Sequence, residues 1–481
     1  MSITATRASD PETSKPEGSE YDGARARRVL AVTSAAVFVV FLDATIVNIA
    51  FPALAQSFSH ATRADLSWVL NAYAIVVGAL LVTAGRLGDA TGRRRLFLSG
   101  LAVFAVASAA CGIAPTVGLL VLARAGQAVG AALLVPASLA LLLPEFPPAR
   151  RSWAVGIWGA MGAVAAASGP TIGALLVEGP GWRWVFYANV PICAFAYWAG
   201  RKVLVESREP GSDVRIDGLG LVLVTATFGL LSLGIVQGQE WGWSSWRIIA
   251  AFAGVAVLAP MTIRLAAQHP APVLPVTLFR VRSFAVATGA TVLFSAAFFA
   301  NLLANVLYLT GVWHWSVLRT AVAVVPGPVL AAVVSPLAGK LADRRGHRLP
   351  VVAGAVAVAA GSLWFVATID ATPDYLGGFF PGLLLIGLGI GLAFPTLGAA
   401  GAVALPPAQF GVGSAVIGVG RQLGSVIGVA GLVAVLGTVT PLNAVHAAHR
   451  SWAAIAAVSL ACAAVAALLP GPRGLGDRTL G

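Results

Sequence analysis

Apolar runs of membrane-spanning length recur along this chain, separated by short breaks rich in Gly, Pro and basic residues. Crossing the hydrocarbon takes about 20 mostly apolar residues in a helix. Fourteen runs reach or approach that length: 29–55, 66–85, 96–114, 117–143, 152–177, 184–203, 217–237, 247–267, 283–311, 318–339, 349–368, 376–400, 409–438 and 451–470. The expected structure is all-helical and threads a bilayer repeatedly. Basic residues test the count independently, because Lys and Arg favour cytoplasmic loops. With a cytoplasmic N-terminus, the tail and every second loop hold 24 of the 31 Lys and Arg, whereas Arg63, Arg183, Arg247, Arg319 and Arg450 fall on the other side. Adding or dropping one run scrambles this alternation. Fourteen spans with both termini cytoplasmic are therefore expected, in the inner membrane.

Composition excludes a soluble globule: 58% of residues are hydrophobic, 10% are charged, and the mean hydropathy is +0.86. The net charge of +12 follows from loop topology and contact with anionic lipid, with no call for nucleic acid. Residues 1–28 are polar and read as a disordered cytoplasmic tail without a cleavable signal, and 471–481 form a second tail. Cys111, Cys193 and Cys462 have no metal-ligand spacing and read as apolar filler. No Walker-type loop occurs, which argues against ATP-driven transport, and no catalytic constellation marks an enzyme.

Within the first run, "VFVVFLDATIVNIAFPAL" (37–54) carries Asp43 near its middle. An Asp at the centre of a membrane helix costs about 2.5–3.5 kcal/mol on insertion scales, so it is a functional candidate in need of a partner. Arg124 and Arg421 are the other ionisable residues set within runs. Asp43 lies about 21 Å along its helix from the cytoplasmic start. Arg124, on an oppositely directed helix, lies roughly 10 Å from the outer end, or some 20 Å from the cytoplasm in a slab of about 30 Å. Their depths agree. Arg421 lies in the cytoplasmic half and reads as a snorkelling or gate residue. Asp43 is the only acid in the middle of a run, so a ligand with two separated positive charges would lack a second buried counter-ion, and neutral or singly charged lipophilic ligands are expected of any cavity here.

An internal repeat organises the chain. "GRLGDATGRRR" (85–95) recurs as "GKLADRRGHR" (339–348) with Gly, Leu, Asp, Gly and a base at the same offsets. The copies stand farther apart than one six-helix half is long, and the surplus matches two helices. The expected division is an N-terminal six-helix half (29–203), two inserted helices with linkers (204–282) and a C-terminal six-helix half (283–470). Gly85, Gly88 and Gly92 read as tight turns in a loop. The small-residue run "GAMGAVAAASGPTIGALL" (159–176) and the Gly-rich run 411–431 read as packing surfaces that slide on one another. Trp182, Trp184, Trp241, Trp243, Trp246, Trp313 and Trp315 cluster at outer helix ends as an interfacial belt. Asn301 and Asn305 share a helix face, which suits either interhelical hydrogen bonding or a substrate cavity.

Residues 85–95 resemble the loop motif between the second and third helices of the major facilitator superfamily. "LDATIVNIAFPAL" (42–54), "ARAGQAVGAALLVPASLALL" (123–142), "SGPTIGALL" (168–176), "WRWVFYANVP" (182–191), "RIDGLGLVLV" (215–224) and "GRQLGSVIGVAG" (420–431) are similar to segments of its fourteen-helix drug:proton antiporter branch. Ala128 and Ala174 depart from that pattern, each standing where the family has Gly. The resemblance implies a major facilitator fold of two six-helix bundles plus two central helices. It also implies proton coupling through Asp43 and Arg124, a conformational latch at Gly85, Gly88, Asp89, Gly92, Arg93, Gly339, Asp343 and Gly346, and an antiporter helix motif at Gly169, Pro170 and Gly173. Asp89 and Arg93 are expected to hold a contact between the halves in one access state. Asn48, Asn71, Tyr73, Gln127, Asn301, Asn305 and Tyr308 are candidate cavity residues, and Arg421 a candidate gate. The expected protein is a monomeric exporter of lipophilic drugs, driven by the proton gradient without a cofactor. A proton-coupled importer of the same fold, or a non-transporting sensor, is the alternative.

Overall fold

The computed structural model describes residues 22–471 except 62, 207–216, 270–271, 407–408, 437–439 and 441–442. The described residues form an all-α structure. The N-terminal part holds α1 (Gly23–Ser57), α2 (Arg63–Thr91), α3 (Arg93–Ile113), α4 (Val117–Leu142), α5 (Arg151–Glu178) and a short α6 (Trp184–Tyr187) leading into α7 (Asn189–Val203). Next come α8 (Gly218–Trp241) and α9 (Trp246–Gln268). The C-terminal part holds α10 (Arg282–Gly311), α11 (Val317–Val324), α12 (Pro326–Arg345), α13 (Arg348–Thr368), α14 (Phe380–Val403), α15 (Phe410–Leu436) and α16 (Ala444–Ala466).

Local chemistry explains the ends. Asp22 caps α1 by accepting from the N–H groups of Ala24 and Arg25 at 2.9 and 3.0 Å, so the helix starts before residue 29, within the expected tail. Thr116, Asp217 and Ser316 cap α4, α8 and α11 in the same way. Gly92 and Gly346 stop the chain between α2 and α3 and between α12 and α13 with φ of 121° and 80°, a region that favours glycine. Residues 1–21 and 472–481 lie outside the described residues.

Among the described residues, twelve helical segments are long and apolar enough to cross a membrane, two fewer than the expected fourteen. The expected spans 152–177 and 184–203 are not among the twelve. In the second, the reason is length. Pro191 has no N–H to bond back to the carbonyl of Tyr187, and the helix is divided at Ala188, leaving fifteen residues in α7. The first is the 28-residue α5, several of whose side chains lie outside the described residues.

The two parts meet where α5 packs on α12 and α14, and where α15 packs on α2 and α4. The α8–α9 pair attaches through α8 to α2. Only 17% of the apolar window of α9 is buried, which makes it the most peripheral span. Large apolar side chains such as Val106, Ile113, Leu122 and Val257 are exposed on the perimeter, as a lipid solvent permits. The expected sliding of α5 on α15 is not the observed packing. Gly169 and Gly173 of α5 seat against α1, and Gly156 and Gly159 against α12 and α14, while Gly424 and Gly428 of α15 seat against α10. Small residues admit whichever neighbour comes close, and the sequence does not say which.

Candidate functional site

Asp43 and Arg124 are brought together in the interior of the N-terminal part, both at or below 1% exposure. Nη1 of Arg124 donates to Oδ2 of Asp43 at 2.6 Å. The other carboxylate oxygen accepts from Nε2 of Gln127 at 2.8 Å and Nδ2 of Asn189 at 2.9 Å. Those two amides also donate to Oγ of Ser108, at 3.0 and 3.1 Å. Nε of Arg124 donates to the Val69 carbonyl at 3.1 Å, and its guanidinium lies 4.2 Å over the Tyr73 ring. One carboxylate thus ties α1 to α4 and α7, and its arginine reaches α2. In such low-dielectric surroundings, removing one partner of a buried ion pair costs about 3–5 kcal/mol.

Residues 85–95 are not the expected loop. Helix α2 runs through Gly85, Gly88 and Asp89 to Thr91, and only Gly92 makes a turn. Gly85 and Asp89 are four apart and share one helix face. A side chain at Gly85 would meet the Gly411 carbonyl of α15 at 2.7 Å, so this glycine serves close approach. Asp89 then accepts from the Val412 N–H, in the first turn of α15, at 3.1 Å. The second copy does the same in mirror fashion. A side chain at Gly339 would lie 2.3 Å from the Ser152 carbonyl of α5, and Asp343 accepts from the N–H groups of Ser152 and Trp153, both at 2.9 Å. Each carboxylate reaches into the other part of the molecule and satisfies N–H groups that a helix start leaves without intrahelical partners. Both contacts lie at the end that carries "GRRR" and "DRRGHR", called here the basic end.

Arg93 binds Asp89 within its own part, with Nε and Nη2 donating to Oδ1 at 2.9 and 2.8 Å. The Asp89–Arg93 pair lies within one part, and Asp89 also reaches α15 of the other. His347 holds the place of Arg93 in the repeat. Its Nε2 pairs with Oγ of Ser152 at 3.0 Å, and burial pushes its pKa down to about 4.

The remaining candidates divide. Gln127 and Tyr73, expected in a cavity, belong to the Asp43–Arg124 cluster. Asn301 and Asn305 take the interhelical option: Asn305 donates to Asn301 at 2.8 Å, Asn301 to Ser362 at 3.4 Å, and Nε1 of Trp452 donates to Asn305 at 3.1 Å. Tyr308 is buried and donates to the Asp370 carbonyl. Asn71 donates to Glu240 of α8 at 3.4 Å. Gly169 and Gly173 abut Thr45 and Ile46 of α1, beside Asp43. Arg421 lies 4.3 Å over Phe394 of α14. The side chains of Asn48 and Pro170 lie outside the described residues. Ser108 and Asn189 were not singled out from the sequence. Their signal was a polar residue inside an apolar run, which many structural residues share.

A family model described as Major Facilitator Superfamily matches residues 33–429. The multidrug resistance protein Stp of Mycobacterium tuberculosis (strain ATCC 25618 / H37Rv) is 33% identical over 410 residues, covering 85% of this chain and 75% of that protein. The tetracenomycin C resistance and export protein of Streptomyces glaucescens is 36% identical over 366 residues, covering 76% and 67%. Among solved structures, the human organic anion transporter MFSD10 (TETRAN) superposes with a TM-score of 0.66 at 15% identity, covering 92% of this chain and 99% of that one. That likeness carries the fold alone.

The His347 contact has a testable pH dependence. Its imidazole is neutral in the closed contact but takes a proton below its ordinary pKa of 6.5 once exposed to water. The closed contact is therefore at full strength above about 6.5 and weakens as pH falls toward about 4. Hydrogen exchange at Ser152 and Trp153, corrected for the intrinsic pH dependence, should quicken between pH 7 and 5. His347→Gln should remove that pH-dependent component. Identical profiles for the two proteins contradict this.

Proposed function

The chain belongs to the major facilitator superfamily, and on that premise we propose that it exports lipophilic small molecules in exchange for protons by alternating access. The observation that carries the reading is the fully buried Asp43, held by Arg124, Gln127 and Asn189. A carboxylate kept there is a proton site whose hold on a proton changes with the distance to Arg124. Protonation removes the charge that binds α4 to α1, so proton and helix arrangement are coupled through one bond. Helix α5 lies on α1 beside Asp43 through Gly169 and Gly173, and its first turn is held by Asp343, which offers a path from the proton site to the basic end. Export is favoured over uptake because relatives are named as resistance and export proteins.

In this reading the proton gradient suffices without a cofactor, and one chain is the working unit. The basic end faces the cytoplasm, consistent with the positive-inside rule. Helices α5 and α6–α7 cross as well, completing the fourteen spans of the drug:proton antiporter branch. The latter pair does so with help from its packing on α1 and α3, which relaxes the length needed. Cysteines placed at Ala149, Gly179 and Val205, all exposed, test this. A membrane-impermeant maleimide should label 149 and 205 from one side and 179 from the other. Labelling of all three from one side removes both spans.

Asp43→Asn should abolish efflux driven by a pH gradient in proteoliposomes, together with the accompanying proton movement. Substrate counterflow should persist, since Asn mimics the protonated acid. Unchanged gradient-driven efflux would show the pair to be only a structural tie. Accumulation in everted vesicles distinguishes an exporter from an importer, and substrate-dependent proton flux distinguishes either from a sensor.

A further inference from the structure

Two arginines set deep in the helices have carboxylate partners, and a third, Arg421, has none among the described residues. Arg93 and Arg124 have carboxylates at 2.8 and 2.6 Å. Arg421, near the middle of α15, has none among the described residues, and its Nε is buried and bonded to nothing. The residue is half-buried as a whole, and its terminal nitrogens make no hydrogen bond and are not fully enclosed. Stacking on Phe394 offsets only part of the cost of an ion at this depth.

Arg421 is not a perimeter residue reaching for headgroups. One turn before it, Gly418 abuts Leu81 of α2, and one turn after it, Gly424 abuts Val292 of α10. Phe394 is followed by Pro395, which abuts Gly159 of α5. The guanidinium thus sits where the two parts of the molecule meet. It lies roughly 13 Å along α15 from Val412 at the basic end, farther than an arginine side chain extends. Around it, Phe394 packs against Phe298 and Phe294 of α10, with ring centroids 5.5 and 6.1 Å apart. Asp43 cannot supply the missing charge, because Arg124, Gln127 and Asn189 already occupy it.

We propose that Arg421, Phe394 and Phe298 form a subsite for lipophilic aromatic acids, with the planar guanidinium pairing the substrate's carboxylate and the phenyl rings receiving its aromatic body. This rests on the export reading above and names the class of substrate. A guanidinium presents a fork of N–H donors that matches a carboxylate in two places, and charge-assisted hydrogen bonds of this kind are among the strongest in water-poor sites.

Titration calorimetry of the full chain in lipid nanodiscs, with empty discs subtracted, should compare naphthalene-1-acetate with its uncharged methyl ester. The wild-type protein should bind the acid about tenfold more tightly or better. Arg421→Met should erase that preference by weakening the acid alone, and Arg421→Lys should keep part of it. An ester affinity unchanged across the three proteins reports an intact fold. Equal binding of acid and ester by the wild type, or a preference that survives Arg421→Met, overturns the subsite and leaves export of lipophilic molecules standing. Binding of neither compound also overturns it, and export is then judged separately by gradient-driven efflux.

Discussion

A carboxylate inside a low-dielectric interior must find donors, and a helix start has N–H groups that must find acceptors. Asp89 of α2, bonded to the first turn of α15, and Asp343 of α12, bonded to the first turn of α5, solve both problems at once, each across the boundary between the two parts. The spacing of the repeated motif follows from this. A glycine one turn before each Asp lets the opposing helix approach to backbone contact, and the Asp on the same face then meets its first turn. Gly85 and Gly339 are as much part of the contact as the charges. The copies differ in their third member: Arg93 pairs with Asp89 as an ion, whereas His347 is held neutral and bonds to Ser152.

Helix α5 connects that boundary to the buried charge cluster. Its first turn is held by Asp343, and its glycine face lies on Thr45 and Ile46 of α1, next to Asp43. A change at Asp43 that shifts α1 therefore presses on a helix whose far end helps close the basic end. Asp43 is itself shared among α1, α4 and α7, so in the proposed cycle taking up a proton would loosen contacts on several sides together.

Much of this was legible in the sequence. Helix lengths and 1.5 Å per residue sufficed to put Asp43 and Arg124 at one depth, and the repeat identified both Asp89 and Asp343. Other features were not. Glycines beside charges looked like a loop, although a Gly-to-Asp spacing of one turn is equally helical, and only a neighbouring helix shows why the glycine is there. That Gln127 and Tyr73 would touch Asp43 and Arg124 was not legible, because their direction around α4 and α2 depends on tertiary packing. Ser108 and Asn189 were hidden for the same reason. The division at Ala188 and the short α7 could be suspected from Pro191 but not located by hydropathy, which sees apolar length and not helix continuity.

The most direct test is the distance across the basic end when both carboxylates are removed. Nitroxides attached at Ala149→Cys and Arg345→Cys, one in each part, can be read by pulsed electron resonance in nanodiscs, the three native cysteines being buried. The wild-type background should give a predominantly short separation. With Asp89→Ala and Asp343→Ala together, the distribution should move to longer distances while the protein remains folded. An unchanged distribution would mean that other contacts close the basic end and that the two carboxylates do not hold it.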